Sequence, residues 1–486
     1  MRRKRSVEPD APVQQVFPTD IPGRPWWGLY SGDGVNDEGS TAPTFAGPEA
    51  SVMILGPPRS GKTSTIVIPC VLDAPAAVVS TSTKPDVLAA TIHARWQLGN
   101  CFVFDPSGTT MIPDGAVPLR WSPVTGCEEF EQATSMAHAL ASASRPKAAL
   151  SEGAHWVERA EALLAPLLFA AALRGRDMAT VCRWILARDL REPEAVLEAQ
   201  DHEMARAVLA GVTATEDRER SGIFSTAAGL LAAYRSEGAL ASATDPNFDP
   251  VAFARSTDTV YICAPAHAQD QLAPLVVALL EQIRAAVYAR PRNAAPVVFV
   301  LDEVAGIAPL PSLPALAAEG GGQGLITLAC LQDLSQARAR WGDAAEGFFS
   351  LFNQKIVFPG IGDHRTLQLI SALAGDEEVL VRSVNTPHWA ASFLDKRSAL
   401  PTTSTSITWR PRLSVADVAT GQPGCALLIK GSDMGWVAAL PWWNHPLWSV
   451  VIRANQPHHA ITGQLGRPMP GTESHPLAGG EAISPP

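Results

Sequence analysis

From Ser51 onward, short apolar runs bounded by turn-forming residues recur along the chain. They fall at 52–55, 77–80, 101–104, 259–263, 297–301, 325–330 and 355–358, and they are uncharged but for Lys355 at one end. Strands of a parallel sheet are covered on both faces by helices, so they read as continuously apolar instead of alternating. These runs predict an α/β fold with a mostly parallel sheet. Between the third and fourth runs the texture changes. Residues 125–250 are rich in Ala, Leu and Glu, with apolar positions at helical spacing, as in Trp156, Ala160, Leu163, Leu164 and Leu167. That pattern predicts an all-α insertion dividing the sheet domain into a first part at 49–124 and a second at 251–454. Residues 1–48, rich in Pro, Gly, Asp and Ser, are expected to form an irregular arm anchored by Trp26-Trp27, and 455–486 a disordered tail.

Composition narrows the class. Hydrophobic residues make up 46% and charged residues 18%, which excludes a wholly disordered chain. The net charge of −10 excludes coating of duplex DNA by bulk charge. The cysteines number seven, are scattered and contain no C-x-x-C, a pattern of reduced thiols and not of a disulfide framework or zinc site. The run 162–173 is interrupted by Pro166 and is shorter than the ~18 residues of a membrane span. The longer stretch 434–452 is broken by Pro441, Asn444, His445 and Pro446. The basic start, Met1-Arg2-Arg3-Lys4-Arg5, continues into Ser6-Val7-Glu8-Pro9-Asp10 and not into an apolar core. No transmembrane segment is expected.

The sharpest motif is Gly56-Pro57-Pro58-Arg59-Ser60-Gly61-Lys62-Thr63, which matches G-x-x-x-x-G-K-[ST] and follows an apolar run. Glycines let such a loop curl so that backbone N–H groups, mainly from Ser60 to Ser64, point at phosphates. Lys62 then reaches the β- and γ-phosphates of ATP, and the Thr63 hydroxyl ligates Mg²⁺. Its partner is Val297-Val298-Phe299-Val300-Leu301-Asp302-Glu303, an apolar strand ending in two carboxylates. Asp302 is the expected Mg²⁺ holder, and Glu303 the group that polarises an attacking water, which favours hydrolysis over transfer to another substrate. An Asp-Glu helix cap would be the alternative reading of that pair alone. Gln332 ends the following run, where a polar side chain can sense the γ-phosphate or simply start a helix. Trp409, Trp436, Trp442, Trp443 and Trp448 crowd the C-terminal end. Packing explains them more readily than stacking on single-stranded bases.

With these residues in hand, the chain resembles the type IV coupling proteins of conjugation, the TraG/TraD family, over roughly residues 48 to 445. The resemblance rests on the P-loop with Ile68-Pro69 after it, and on Asp105-Pro106-Ser107-Gly108 followed by Arg120-Trp121-Ser122-Pro123. It continues with Leu301-Asp302-Glu303-Val304-Ala305-Gly306-Ile307 and Leu310-Pro311-Ser312-Leu313-Pro314. Later blocks are Cys330-Leu331-Gln332-Asp333-Leu334-Ser335-Gln336, Trp341-Gly342, Phe352-Asn353-Gln354-Lys355 and Gly360-Ile361-Gly362-Asp363. The resemblance implies a RecA/FtsK-like ATPase motor whose helical insertion recognises cargo. It implies a homo-hexamer with ATP between subunits, acting on single-stranded DNA, a relaxase or secreted protein. An arginine from the neighbouring subunit completes such sites; Arg365 is the candidate, with Arg338 and Arg340 competing. Many members carry two transmembrane helices, so the chain is expected either to dock on a separate membrane-anchor or secretion-channel partner at the cytoplasmic face of the plasma membrane or to work as a soluble cytosolic relative. The stretch Ser80-Thr81-Ser82-Thr83-Lys84-Pro85-Asp86 keeps a lysine and an acid of the family's acidic motif but not its first Asp. Two other readings stand beside this one: a duplex translocase of the FtsK/HerA kind, and a substrate-docking adaptor that binds nucleotide without turnover.

Overall fold

The computed structural model describes residues 28–36, 39–143, 151–291, 294–385 and 402–456. Expectations for residues 1–27 and 457–486 lie outside them. The strands in chain order are β1 (Tyr30–Val35), β2 (Thr41–Phe45), β3 (Val52–Leu55), β4 (Val78–Ser82), β5 (Cys101–Phe104), β6 (Ala116–Pro118) and β7 (Thr259–Cys263). They continue with β8 (Val297–Leu301), β9 (Leu325–Leu331), β10 (Gln354–Val357), β11 (Asp376–Asn385), β12 (Thr402–Pro411), β13 (Cys425–Lys430) and β14 (Asp433–Ala438). Each of the seven apolar runs is a strand, and each lies inside one sheet in the order β2-β1-β14-β13-β10-β3-β9-β8-β4-β7-β5-β6. From β10 to β6 the neighbours pair in parallel. The fold class is therefore the expected one. The acid-bearing β8 is separated from the P-loop strand β3 by β9 alone.

The sheet extends beyond the expected strands. β13, β14, β1 and β2 continue it as an antiparallel edge, so Tyr30–Val35 and Thr41–Phe45 are strands and not part of the irregular arm that their surroundings' Gly and Asp content suggested. The glycines are there for approach: a Cβ on Gly32, at φ +96°, would stand 3.0 Å from Val437 Cβ. A buried cluster fastens this edge. The Tyr30 hydroxyl donates to Asp33 Oδ1 at 2.9 Å, and His445 Nε2 lies 2.9 Å from Asp33 Oδ2. His445 Nδ1 accepts the N–H groups of Leu447 and Trp448, capping the helix Pro446–Ala454. With Nδ1 accepting, the proton sits on Nε2 and is donated to Asp33. β11 and β12 form a separate two-stranded ribbon on which Leu380, Ile407 and Trp409 are exposed.

Between β6 and β7 the described chain is helical, from Phe130–Ser142 through Ser151–Leu173 to Pro250–Phe253. Its core is continuous with one face of the sheet: Leu163, Leu164 and Leu167 belong to the same buried cluster as Val79, Phe299 and Leu301. Trp121, buried at the entry to this segment, ties entry to exit. Its Nε1 donates to Gln282 Oε1 at 2.6 Å and its backbone N–H to Ser242 O at 2.7 Å. Helix Gln269–Tyr288 is long and apolar enough to cross a membrane by length and composition, yet most of it is buried, and it packs against helix Phe130–Ser142. The opposite face of the sheet buries Ile54, Val300, Leu88, Ile92 and Trp448. All seven cysteines are free, and burial pushes the thiols of Cys101, Cys127 and Cys263 up to about 12.

Candidate nucleotide site

The P-loop leaves the end of β3 and turns back into a helix. Gly56 N–H donates to the carbonyls of Leu331, the last residue of β9, and of Gln332 just past it, at 3.2 and 3.1 Å. No side chain fits there, because a Cβ on Gly56 would lie 2.7 Å from Phe358 Cβ and 2.8 Å from Ser60 Oγ. Arg59 at φ +65° and Gly61 at φ +95° give the loop its curl. Thr63–Val67 is a widened turn in which Ile68 N–H bonds back to Thr63 O, and the α-helix Ile68–Asp73 follows. Pro69 has no N–H for the Thr65 carbonyl and its ring crowds it, which favours widening at this point.

The loop's polar groups face one another in a manner suited to a phosphate. Lys62, 6% exposed, folds its Nζ onto the carbonyls of Gly56 (2.5 Å) and Pro57 (3.0 Å). The Ser60 hydroxyl is shielded from solvent and has no partner among the described residues. Thr63 Oγ1 donates to Asp302 Oδ2 at 2.7 Å, so residues distant in the chain meet across β9. Thr81 Oγ1 donates to the Asp302 carbonyl at 2.8 Å and fixes the tip of β8 from the neighbouring β4. Burial pushes the Asp302 carboxyl up to about 6; the Thr63 hydrogen bond and the Lys62 charge oppose the rise, and the Glu303 and Asp86 charges add to it. Glu303 stands at φ +53°, a left-handed conformation costing on the order of 1 kcal/mol in a non-glycine residue. Among the described residues no group of three or more His, Cys, Asp or Glu could hold a metal. The Thr63 hydroxyl and Asp302 carboxylate do fit Mg²⁺, which takes one or two protein oxygens and completes its shell with water and phosphate.

A cleft of about 1300 Å³ opens over this arrangement, and Pro58, Arg59, Ser60, Gly61, Lys62, Thr63, Ser64, Asp302 and Glu303 all line it. Of the sequence-derived site residues, four do not. Gly56 and Pro57 form the root of the loop. Gln332 stands at the tip of β9, where its backbone carbonyl receives Gly56 N–H and its N–H donates to Gln336 Oε1 at 3.0 Å; its side chain is not among the lining groups. Arg365 lies apart too, exposed on helix His364–Ala374. Its two competitors are paired within the chain, Arg338 with Asp363 at 2.9 Å and Arg340 with Asp270 at 3.3 Å. Sequence reasoning missed part of the lining. Ser82, Lys84 and Asp86 form one wall, and their place at the end of β4, on the same sheet edge as Asp302, was the available signal. Trp442 and Trp443 form another, and their spacing carried no hint of it.

This architecture agrees with what comparison finds. The family model for type IV secretory system conjugative DNA transfer matches residues 3–420. The bacterial conjugative coupling protein TrwB, in an unbound form, superposes with a TM-score of 0.61 at 16% identity, covering 84% of this chain and 88% of that one. TrwB in complex with the ATP analogue ADPNP gives 0.62 at 16% identity, over 81% and 86% of the two chains. TrwB with ADP and Mg²⁺ gives 0.61 at 16% identity, over 87% and 97%. No curated protein sequence matches. At such identity the structural likeness speaks for the fold, while the family model spans most of the sequence: the chain belongs to the type IV secretory system conjugative DNA transfer family.

Proposed function

We propose that this member of the family is an ATP-driven coupling motor that hydrolyses ATP in the cleft between β3 and β8 and uses it to pass single-stranded DNA, or protein bound to it, to a secretion apparatus. The observation that carries the reading is the 2.7 Å contact between Thr63 and Asp302, which places the phosphate loop and the paired acids at one site. Binding of ATP and Mg²⁺ to this chain is part of the proposal, in keeping with the nucleotide complexes of TrwB.

In this mechanism the backbone N–H groups of Ser60 to Ser64, and the Ser60 hydroxyl, receive the phosphates. Lys62 exchanges the Gly56 and Pro57 carbonyls for phosphate oxygens. Thr63 and Asp302 hold Mg²⁺, which when bound offsets charge developing on the β- and γ-phosphates. That same positive charge favours the ionised Asp302 that burial otherwise disfavours. Glu303 accepts a hydrogen bond from the attacking water and orients it towards the γ-phosphate. Gln332, at the adjoining strand tip, links the state of the P-loop to β9. Arg365, unpaired among the described residues, is the group offered to a neighbouring subunit of a homo-hexameric ring. In such a ring a net charge of −10 is no obstacle to a single strand, since basic groups are needed only along the pore. The helical segment at 125–250 takes the role of cargo recognition, and a separate membrane protein that of anchor.

The test is steady-state ATP turnover by the full chain, Lys62→Ala and Glu303→Gln. The reading expects turnover in the wild type, loss of nucleotide affinity in the first variant, and retained affinity with lost turnover in the second. Equal rates in all three would overturn it.

A further inference from the structure

The phosphate loop accounts for only one side of the cleft. Beyond the loop and the polar wall of Ser82, Lys84 and Asp86, the cleft is bounded by Ile68, Ala89, Ala90, Trp442 and Trp443, apolar surface for which a triphosphate has no use. We propose that Trp443 is the platform on which the base of the bound nucleoside triphosphate stacks, and that Trp442 positions it. This inference rests on the nucleotide reading of the cleft. Trp443 is 48% exposed, an uncovered indole beside a polar loop, as expected of a surface that awaits a flat apolar ligand. It is also held in place. Trp442 N–H donates to Ser64 O at 3.0 Å, tying the pair to the residue after the Mg²⁺-binding threonine. The turn that carries it closes through Asn444 N–H and His445 N–H, both donating to Pro441 O at 2.9 and 3.1 Å. Beneath the turn, His445 is locked against Asp33 at 2.9 Å. The Trp442 and Trp443 rings stand edge to face, 5.6 Å between centroids and 82° between planes. One indole braces the other, and a stacking surface ordered beforehand loses little freedom on binding. An indole reads the face of a base and not its edge, so the ligand class is a nucleoside triphosphate whose base is recognised by shape, without discrimination between adenine and guanine by this contact.

The test compares equilibrium binding of Mg·ATP and of Mg·tripolyphosphate, by calorimetry, to the full chain, Trp443→Phe and Trp443→Ala. Trp443 is about half exposed and belongs to neither buried core cluster among the described residues, so its replacement leaves the core intact. The expected result is that the wild type binds ATP more tightly than tripolyphosphate. Trp443→Ala loses about tenfold in ATP affinity with tripolyphosphate unchanged, and Trp443→Phe keeps most of the ATP affinity. Equal ATP affinity in wild type and Trp443→Ala would overturn the platform and leave the phosphate site standing. Equal affinity of the wild type for ATP and tripolyphosphate would do the same, as would a parallel loss of both ligands in Trp443→Ala. A wild type that binds neither would overturn the nucleotide reading itself.

Discussion

Asp302→Asn is predicted to stabilise the magnesium-free protein above pH 6 while abolishing its use of the ion. Asp302 is 5% exposed, and burial is the largest influence lifting its carboxyl from 3.8 to about 6. At about 1.4 kcal/mol per pH unit, that rise puts a penalty on the order of 3 kcal/mol on the ionised native state. Between pH 4 and 6 the native protein binds a proton that the unfolded chain has released, so stability falls as pH rises through that window and stays lowered above it. Asparagine carries no such penalty. Its carbonyl can still accept the Thr63 hydroxyl, but its NH₂ group replaces the oxygen that accepts Glu303 N–H at 3.2 Å, which returns about 1 kcal/mol. The net gain is about 2 kcal/mol near pH 8, or about 2 °C in Tm for a chain of this size. Thermal unfolding in EDTA from pH 4 to 8 measures it, and the gap between variant and wild type should open across pH 4 to 6. Added Mg·ATP should then raise the Tm of the wild type alone. A gap independent of pH, or a variant less stable at pH 8, would refute the account of Asp302 as a carboxylate whose charge awaits a cation.

Other outcomes follow from the same geometry. Arg95, fully buried, donates to Thr259 Oγ1 at 2.8 Å and to the carbonyls of Ala74, Ala76 and Thr257 at 2.5, 2.8 and 3.1 Å. Arg95→Met strands those carbonyls and should cost about 3–5 kcal/mol by urea unfolding, with ATP affinity of the folded fraction unchanged. Arg365→Ala should lower turnover by about 10³-fold without weakening nucleotide binding. Mixing it with Lys62→Ala subunits should restore part of the activity, because interfaces then form that hold an intact Lys62 from one subunit and Arg365 from the next; no recovery would remove Arg365 from the trans role.

The parallel half of the fold was legible because burial on both faces leaves a mark within a single strand: Val52–Leu55 and Val297–Leu301 hold no polar residue. The antiparallel edge leaves no such mark. β1 reads Tyr-Ser-Gly-Asp-Gly-Val, and it is its pairing with β2 and β14 and the contact of Asp33 with His445, far along the chain, that make it a strand. β13 and β14 did carry a local signal. Lys430 and Asp433 face each other across Gly431-Ser432, with Gly431 at φ +63°, as a two-residue hairpin turn favours. The P-loop and the Asp302-Glu303 pair were legible because their chemistry is encoded in spacing. Trp442 and Trp443 were not, since their place in the cleft depends on a hydrogen bond to Ser64 that no local pattern foretells.

The central claim is that one cleft couples ATP hydrolysis to a single strand of DNA. Its most direct test is the magnesium-dependent ATP turnover of the full chain with single-stranded DNA, with duplex of the same length, and with neither, beside Lys62→Ala. The account predicts a rate that rises most with the single strand and vanishes in the variant. A rate indifferent to nucleic acid, or no higher than that of Lys62→Ala, would contradict it, and a preference for duplex would favour a translocase of the FtsK/HerA kind.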